Sequence, residues 1–137
     1  MEATPASEPT ERLGRRLRTL LVGNNARFLS SLAEFLGQQP YIEIVGQARD
    51  GWEALKLASK LEPQLVLSDF NMEDMTGAAV AKALKARHKP PRVVVLSWHE
   101  SHVFAEISAK AGADGYLSKR QLDRIPEVLR HLDQYPR

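Results

Sequence analysis

The chain of 137 residues is 43% hydrophobic and 26% charged, enough for one compact domain that needs no metal or disulfide staple. It has no cysteine, which excludes disulfide frameworks, zinc–cysteine sites and thiol nucleophiles together. The formal charge is +2, from 19 basic and 17 acidic residues, so no strong basic field draws nucleic acid, and no apolar run approaches the roughly 20 residues that span a membrane. A cytoplasmic chain is expected, with neither nucleic acid nor membrane as partner.

Residues 1–16 are rich in Pro, Ser, Thr and Glu and read as a flexible tail, leaving 17–137 as a single domain. The cluster Arg12, Arg15, Arg16 and Arg18 reads as a solvated lead-in, because no aromatic residue is interleaved with it. From Thr19 onward, short apolar runs recur: Thr19–Gly23, Ile42–Gly46, Leu65–Asp69, Val93–Ser97 and Gly115–Leu117. Their brevity and Val/Ile/Leu content predict strands buried on both faces.

Between the strands lie stripes of helical period. They are Phe28, Leu29, Leu32, Phe35 and Leu36; Leu55, Ala58 and Leu61; then Val80, Ala81 and Leu84. Val103, Phe104, Ile107 and Ala111 form the fourth, and Leu122, Ile125, Leu129 and Leu132 the last. Gly37, Pro63, Pro90, Pro91 and Gly112 mark helix ends. A strand–helix unit repeated five times predicts an α/β fold, a five-stranded parallel sheet with helices on both faces.

In such a sheet the ligand cleft lies outside the carboxyl ends of the strands. Asn24, Asn25, Asp69, Ser97 and Lys119 are expected to converge there. Asp69 ends an apolar strand, where an unpaired charge is costly, and Lys119 is its counter-ion. A carboxylate, an ammonium and a hydroxyl together suit phosphoryl transfer, with the carboxylate as nucleophile. A purely structural ion pair closing the sheet end explains the same residues, and the arrangement alone leaves both readings open.

Three segments then carry a resemblance. Leu65-Val-Leu-Ser-Asp-Phe-Asn-Met-Glu-Asp-Met-Thr-Gly77 resembles the phosphoacceptor segment of response-regulator receiver domains. Ala111-Gly-Ala-Asp-Gly-Tyr-Leu-Ser-Lys119 resembles their last strand and its lysine, and Ile44-Val-Gly-Gln-Ala-Arg-Asp-Gly-Trp-Glu-Ala-Leu55 their second strand and following helix. The similarity runs from about Thr19 to Leu132, and the pattern is nearest to the helix-turn-helix subfamily because no proline follows Lys119. The resemblance implies a flavodoxin-like, doubly wound (βα)5 fold with strand order 2-1-3-4-5. It implies Asp69 as phosphoacceptor, Lys119 as the invariant lysine, and Ser97 and Tyr116 as the switch pair. The backbone carbonyl of Asn71 becomes a magnesium ligand, and a histidine kinase or another signalling protein becomes the partner.

The pattern breaks after the first strand. Receivers carry two adjacent acids there, and this chain has Gly23 and Asn24. Mg2+ favours hard oxygen ligands including carboxylates, so weak binding is expected, through Asp69, Asn71 and at most Asn24. The Asp69–Lys119 attraction should strengthen without competing acids. Glu73 and Asp74 could lend a carboxylate, although solvated loop acids are the simpler expectation. Trp98 stands where receivers carry a small residue and should shield Asp69; His88, His99, His102 and His131 share no ligand spacing.

No Gly-rich phosphate loop, Ser-His-Asp set or zinc constellation is present, so an enzyme is not expected. The leading expectation is a stand-alone, atypical receiver. It works by protein contact and could form a homodimer through the face of helix four, strand five and helix five. It either accepts a phosphoryl group at Asp69 or holds one conformation as a pseudo-receiver. The alternatives are a small-molecule or nucleotide-binding module using the same cleft, and a DNA-binding regulator, which would need a helix-turn-helix absent from this chain.

Overall fold

The computed structural model describes residues 16–99 and 102–134, so the predicted tail lies almost wholly outside the described residues. Five strands form the sheet: β1 (Leu17–Val22), β2 (Ile42–Ala48), β3 (Leu65–Asp69), β4 (Arg92–Ser97) and β5 (Gly115–Ser118). They lie in the order β2-β1-β3-β4-β5, every pair parallel, as a doubly wound sheet requires. The helices between and after them are α1 (Ala26–Gly37), α2 (Gly51–Leu61), α3 (Gly77–Lys85), α4 (His102–Lys110) and α5 (Ile125–Gln134). Among the described residues, no helix is long and apolar enough to cross a membrane.

The period-two alternation of the strands builds two cores. Leu21, Leu65, Leu67, Val94, Leu96 and Leu117 face the layer of α1 and α5, where Leu29, Leu32, Leu36, Ile125 and Leu129 meet them. Leu20, Val22, Val66, Val93 and Val95 face α2 and α3 through Ala54, Ala58, Val80, Ala81 and Leu84. Each fully buried Leu or Val contributes about 1.5–3 kcal/mol, so the two layers hold the central strands firmly and leave their carboxyl ends as a rigid platform.

Polar contacts set the helix ends. Asn25 caps α1, accepting the Phe28 N–H at 3.0 Å, and Asp50 and Thr76 cap α2 and α3 in the same way. Arg18 is not part of a solvated lead-in. It lies in β1, and its guanidinium donates to the carbonyls of Leu61 and Glu62 at 2.6 and 2.7 Å, closing the C-terminus of α2. Asp114, before β5, accepts from Lys85 Nζ at 2.7 Å, Arg92 at 3.3 Å and the Val93 N–H at 2.8 Å. These bonds tie β5 to β4 at the end opposite the cleft.

The fourth stripe departs from expectation. Phe104 and Ala111 pack inward, but Val103 and Ile107 are exposed, and the buried α4 residue is Ser108. The cause is Phe104: its ring stacks on Phe70 with centroids 4.3 Å apart and fixes the rotation of the helix. The last stripe is divided. Leu122 sits in a 3-10 segment, Lys119–Arg124, and α5 begins at Ile125.

The Ser108 hydroxyl is buried without a hydrogen-bond partner among the described residues. An unpaired buried hydroxyl is a liability, so Ser108→Ala should leave stability unchanged or raise it by up to about 1 kcal/mol in denaturant unfolding. A loss larger than that would show that the hydroxyl is bonded in solution.

Candidate functional site

The site lies at the carboxyl ends of β1, β3 and β5. Asp69 is the last residue of β3, in line with Leu65 and Leu67, and so points to the α1 side. Lys119 follows β5 and reaches across β4, placing Nζ 3.0 Å from Asp69 Oδ2. Both side chains are nearly out of water, at 4% exposure for Lys119 and 8% for Asp69. Gly23 lies beside them: a Cβ there would sit 3.5 Å from Asp69 Cβ and 3.6 Å from Oδ2, ordinary contact distances. Gly77 lets α3 approach from the other side, since a Cβ would fall 2.4 Å from the Asp69 carbonyl oxygen.

Two rings cover the ammonium. The Phe28 centroid lies 4.0 Å from Lys119 Nζ and the Trp98 ring 5.8 Å away, and the rings meet edge-on with centroids 6.5 Å apart. Cations are drawn to ring faces by the π quadrupole, worth about 0.5–2 kcal/mol according to desolvation. Phe28 was legible only as a core residue of the α1 stripe. Its place in the first turn, at the cleft end of the helix, was the signal for a second role.

The other expected members lie at the strand ends or in the loops after them, and the bonds of Ser97 and Tyr116 go to backbone groups. Ser97 is buried, but its Oγ accepts the His99 N–H at 3.0 Å and makes no hydrogen bond to Asp69 or Lys119. Tyr116 lies on the α4 side, and its hydroxyl donates to the His99 carbonyl at 2.9 Å. Both side chains therefore engage the backbone of His99, Ser97 through its N–H and Tyr116 through its carbonyl, groups that side-chain reasoning passes over.

Asn25 Oδ1 is engaged as the α1 cap, and Asn24 and Asn71 are exposed. Glu73 and Asp74 are both exposed, as expected of loop acids, but Asp74 is also tethered. Its two oxygens accept the Gly51 and Trp52 N–H groups at 3.0 and 2.9 Å, tying the β3–α3 loop to the start of α2. Among the described residues, no group of three or more His, Cys, Asp or Glu could hold a metal.

A parallel sheet of this order, with a carboxylate and a lysine facing each other at its carboxyl end, defines a doubly wound α/β module whose working end is that cleft. The model of the response regulator receiver domain family matches residues 19–130, and the chain belongs to that family.

Among curated proteins, the transcriptional regulatory protein LiaR of Bacillus subtilis (strain 168) is 36% identical over 105 residues, covering 75% of this chain and 49% of that protein. The nitrate/nitrite response regulator protein NarL of Escherichia coli (strain K12) is 35% identical over 112 residues, covering 80% and 50%. This chain thus spans about half the length of the curated relatives it matches. Among solved structures, the signal receiver domain of the response regulator NarL from Mycobacterium tuberculosis superposes with a TM-score of 0.81 at 25% identity, over 89% of this chain and 99% of that one.

The Gly51 N–H, followed by that of Trp52, holds the Asp74 carboxyl below its ordinary value of 3.8. A lowered carboxylate pKa stabilises the fold above the unfolded value and loses that effect as pH falls through the folded one. The tether should therefore be at full strength above about pH 4 and be lost only as pH falls further, through the lowered folded value. Amide exchange at Gly51 and Trp52 should rise there, beyond the intrinsic pH dependence of exchange, and Asp74→Asn should flatten the excess. An Asp74→Asn chain with the native acid response would contradict this.

Proposed function

We propose that this chain is an atypical receiver in a two-component phosphorelay. Asp69 occupies the phosphoacceptor position, and Mg2+-dependent phosphorylation is weak or lost. Lys119 is its partner, and Ser97 and Tyr116 form the switch pair. The observation that carries the reading is the neighbourhood of Asp69. Gly23 occupies the adjacent position, where a side chain would start 3.6 Å from Oδ2, and the carboxylate is already paired with Lys119 at 3.0 Å.

The donor set fits Mg2+ poorly. The ion favours octahedral oxygen ligands with one or two carboxylates. Here Asp69 is engaged by the ammonium, Asp74 by two amides and Asn25 by the α1 cap. That leaves the exposed Asn24 and the Asn71 carbonyl, both uncharged, with Glu73 as an exposed loop acid beyond them.

The output of the reading is contact with a histidine kinase or another cytoplasmic signalling protein, or with a second copy of the chain. The face of α4, β5 and α5 is the surface for it, supported by Val103 and Ile107, which expose apolar side chains one helical turn apart on α4.

Trp98 supplies the test. In a Trp52→Phe chain it is the remaining indole. Its fluorescence should stay flat as Mg2+ and then beryllofluoride are added. It should respond once Gly23→Asp and Asn24→Asp restore the acids. A response in the chain without those acids that disappears with Asp69→Asn would overturn the proposal.

A further inference from the structure

We propose that the outer face of α2 and α3 is a docking surface for an acidic protein segment. It is distinct from the face of α4, β5 and α5, and it does not depend on the chemistry of Asp69. The two helices lie side by side on one side of the sheet, packed inward through Ala54, Ala58, Val80, Ala81 and Leu84. The whole chain carries a formal charge of only +2, yet this face carries one sign. From Ala54 to Leu61 and from Met75 to Pro91 the sequence holds Lys56, Lys60, Lys82, Lys85, Arg87 and Lys89, and no acid.

Two of these bases belong to the frame. Lys85 donates to Asp114 at 2.7 Å and to the Pro91 carbonyl at 2.9 Å, and Arg87 donates to the Leu55 carbonyl at 3.1 Å, tying the end of α3 to α2. Lys56, Lys60, Lys82 and Lys89 are exposed and form no ion pair among the described residues. Elsewhere on the surface, bases are matched: Lys110 lies 3.8 Å from Glu106 on α4, and Arg124 lies 3.3 Å from Glu127 at the start of α5. The acids nearest the basic face are turned to backbone. Glu53 accepts the Arg49 N–H at 2.8 Å, and Asp74 accepts the first amides of α2. Glu62 stands past the last turn of α2, in a left-handed conformation. The charge of the lysines is thus left for a partner to complement.

Trp52 gives the face an anchor. It is 67% exposed, the most exposed large hydrophobic side chain among the described residues. At i, i+4 and i+8, Trp52, Lys56 and Lys60 form one ridge along the outside of α2. On α3 the exposed neighbours of Lys82 are Ala79 and Ala86, small enough to let a partner's backbone come close. An indole beside lysines suits a segment with both apolar and acidic side chains, because buried aromatic anchors and complementary charge are what protein interfaces use. Four lysines on a chain of charge +2 make a small field for a nucleic acid or a membrane, whose binding rests on a broader basic surface.

In a Trp98→Phe chain, Trp52 is the remaining indole and reports on this face. The probe is a synthetic amphipathic peptide of glutamate and leucine at helical spacing. It should shift the Trp52 emission saturably, and high salt should weaken the binding. Lys56→Gln, Lys60→Gln and Lys82→Gln together should weaken it about tenfold. Arg27→Gln, Lys110→Gln and Arg124→Gln remove the same charge from other faces and should change it less than about twofold.

No response of Trp52 would overturn the proposal. Equal weakening by the two sets of changes would also overturn it, as the mark of net charge alone. So would equal affinity for a lysine–leucine peptide, or tighter binding to phosphatidylserine vesicles or to a DNA duplex. None of these readings involves Asp69, so this proposal and the receiver reading fail separately.

Discussion

A lysine ammonium and an aspartate carboxylate held 3.0 Å apart, with almost no water around them, constrain the rest of this molecule. Removing either charge from water costs several kcal/mol, and only close pairing offsets it. The sheet must therefore deliver β3 and β5 in fixed register on either side of β4. The alternating core residues of the central strands and the Asp114 cluster at the far end of β4 and β5 do this. With Gly23 beside Asp69, no side-chain charge at that position competes for the lysine, and the rings of Phe28 and Trp98 lie near its ammonium.

Around this pair, polar side chains are committed to the frame. Asn25 holds the start of α1 and so places Phe28. Asp74 holds the start of α2 and fixes the loop that carries Asn71. Ser97 and Tyr116 bond the N–H and the carbonyl of His99, just after Trp98. The cleft is thus a closed arrangement in which nearly every group with chemical potential already has a partner. That is the physical basis for reading it as a receiver with weakened metal chemistry.

Much of this was legible in the sequence, for identifiable reasons. Strands buried on both faces leave short Val/Ile/Leu runs, so five strands were found within a few residues of their ends, and the Asp69–Lys119 pair followed from their carboxyl ends. The α4 stripe misled because composition treats Val103 and Ile107 as core, whereas the Phe70–Phe104 stack sets the rotation of the helix and brings Ser108 inward. Ser97 was expected at the charges and instead binds a backbone N–H, an interaction that side-chain spacing cannot reveal. Phe28 served a helical stripe and the cleft at once, and the stripe concealed the second role.

The claim that Asp69 and Lys119 form a closed unit is tested most directly by a double-mutant cycle of Asp69→Asn and Lys119→Met in equilibrium unfolding. Removing the aspartate alone strands a buried ammonium, and removing the lysine alone strands a buried carboxylate. Each single change should cost about 3 kcal/mol, and the double change clearly less than their sum, with a coupling of about 2 kcal/mol. Additive costs, with coupling below about 0.5 kcal/mol, would show that the two charges are solvated independently and would contradict the account.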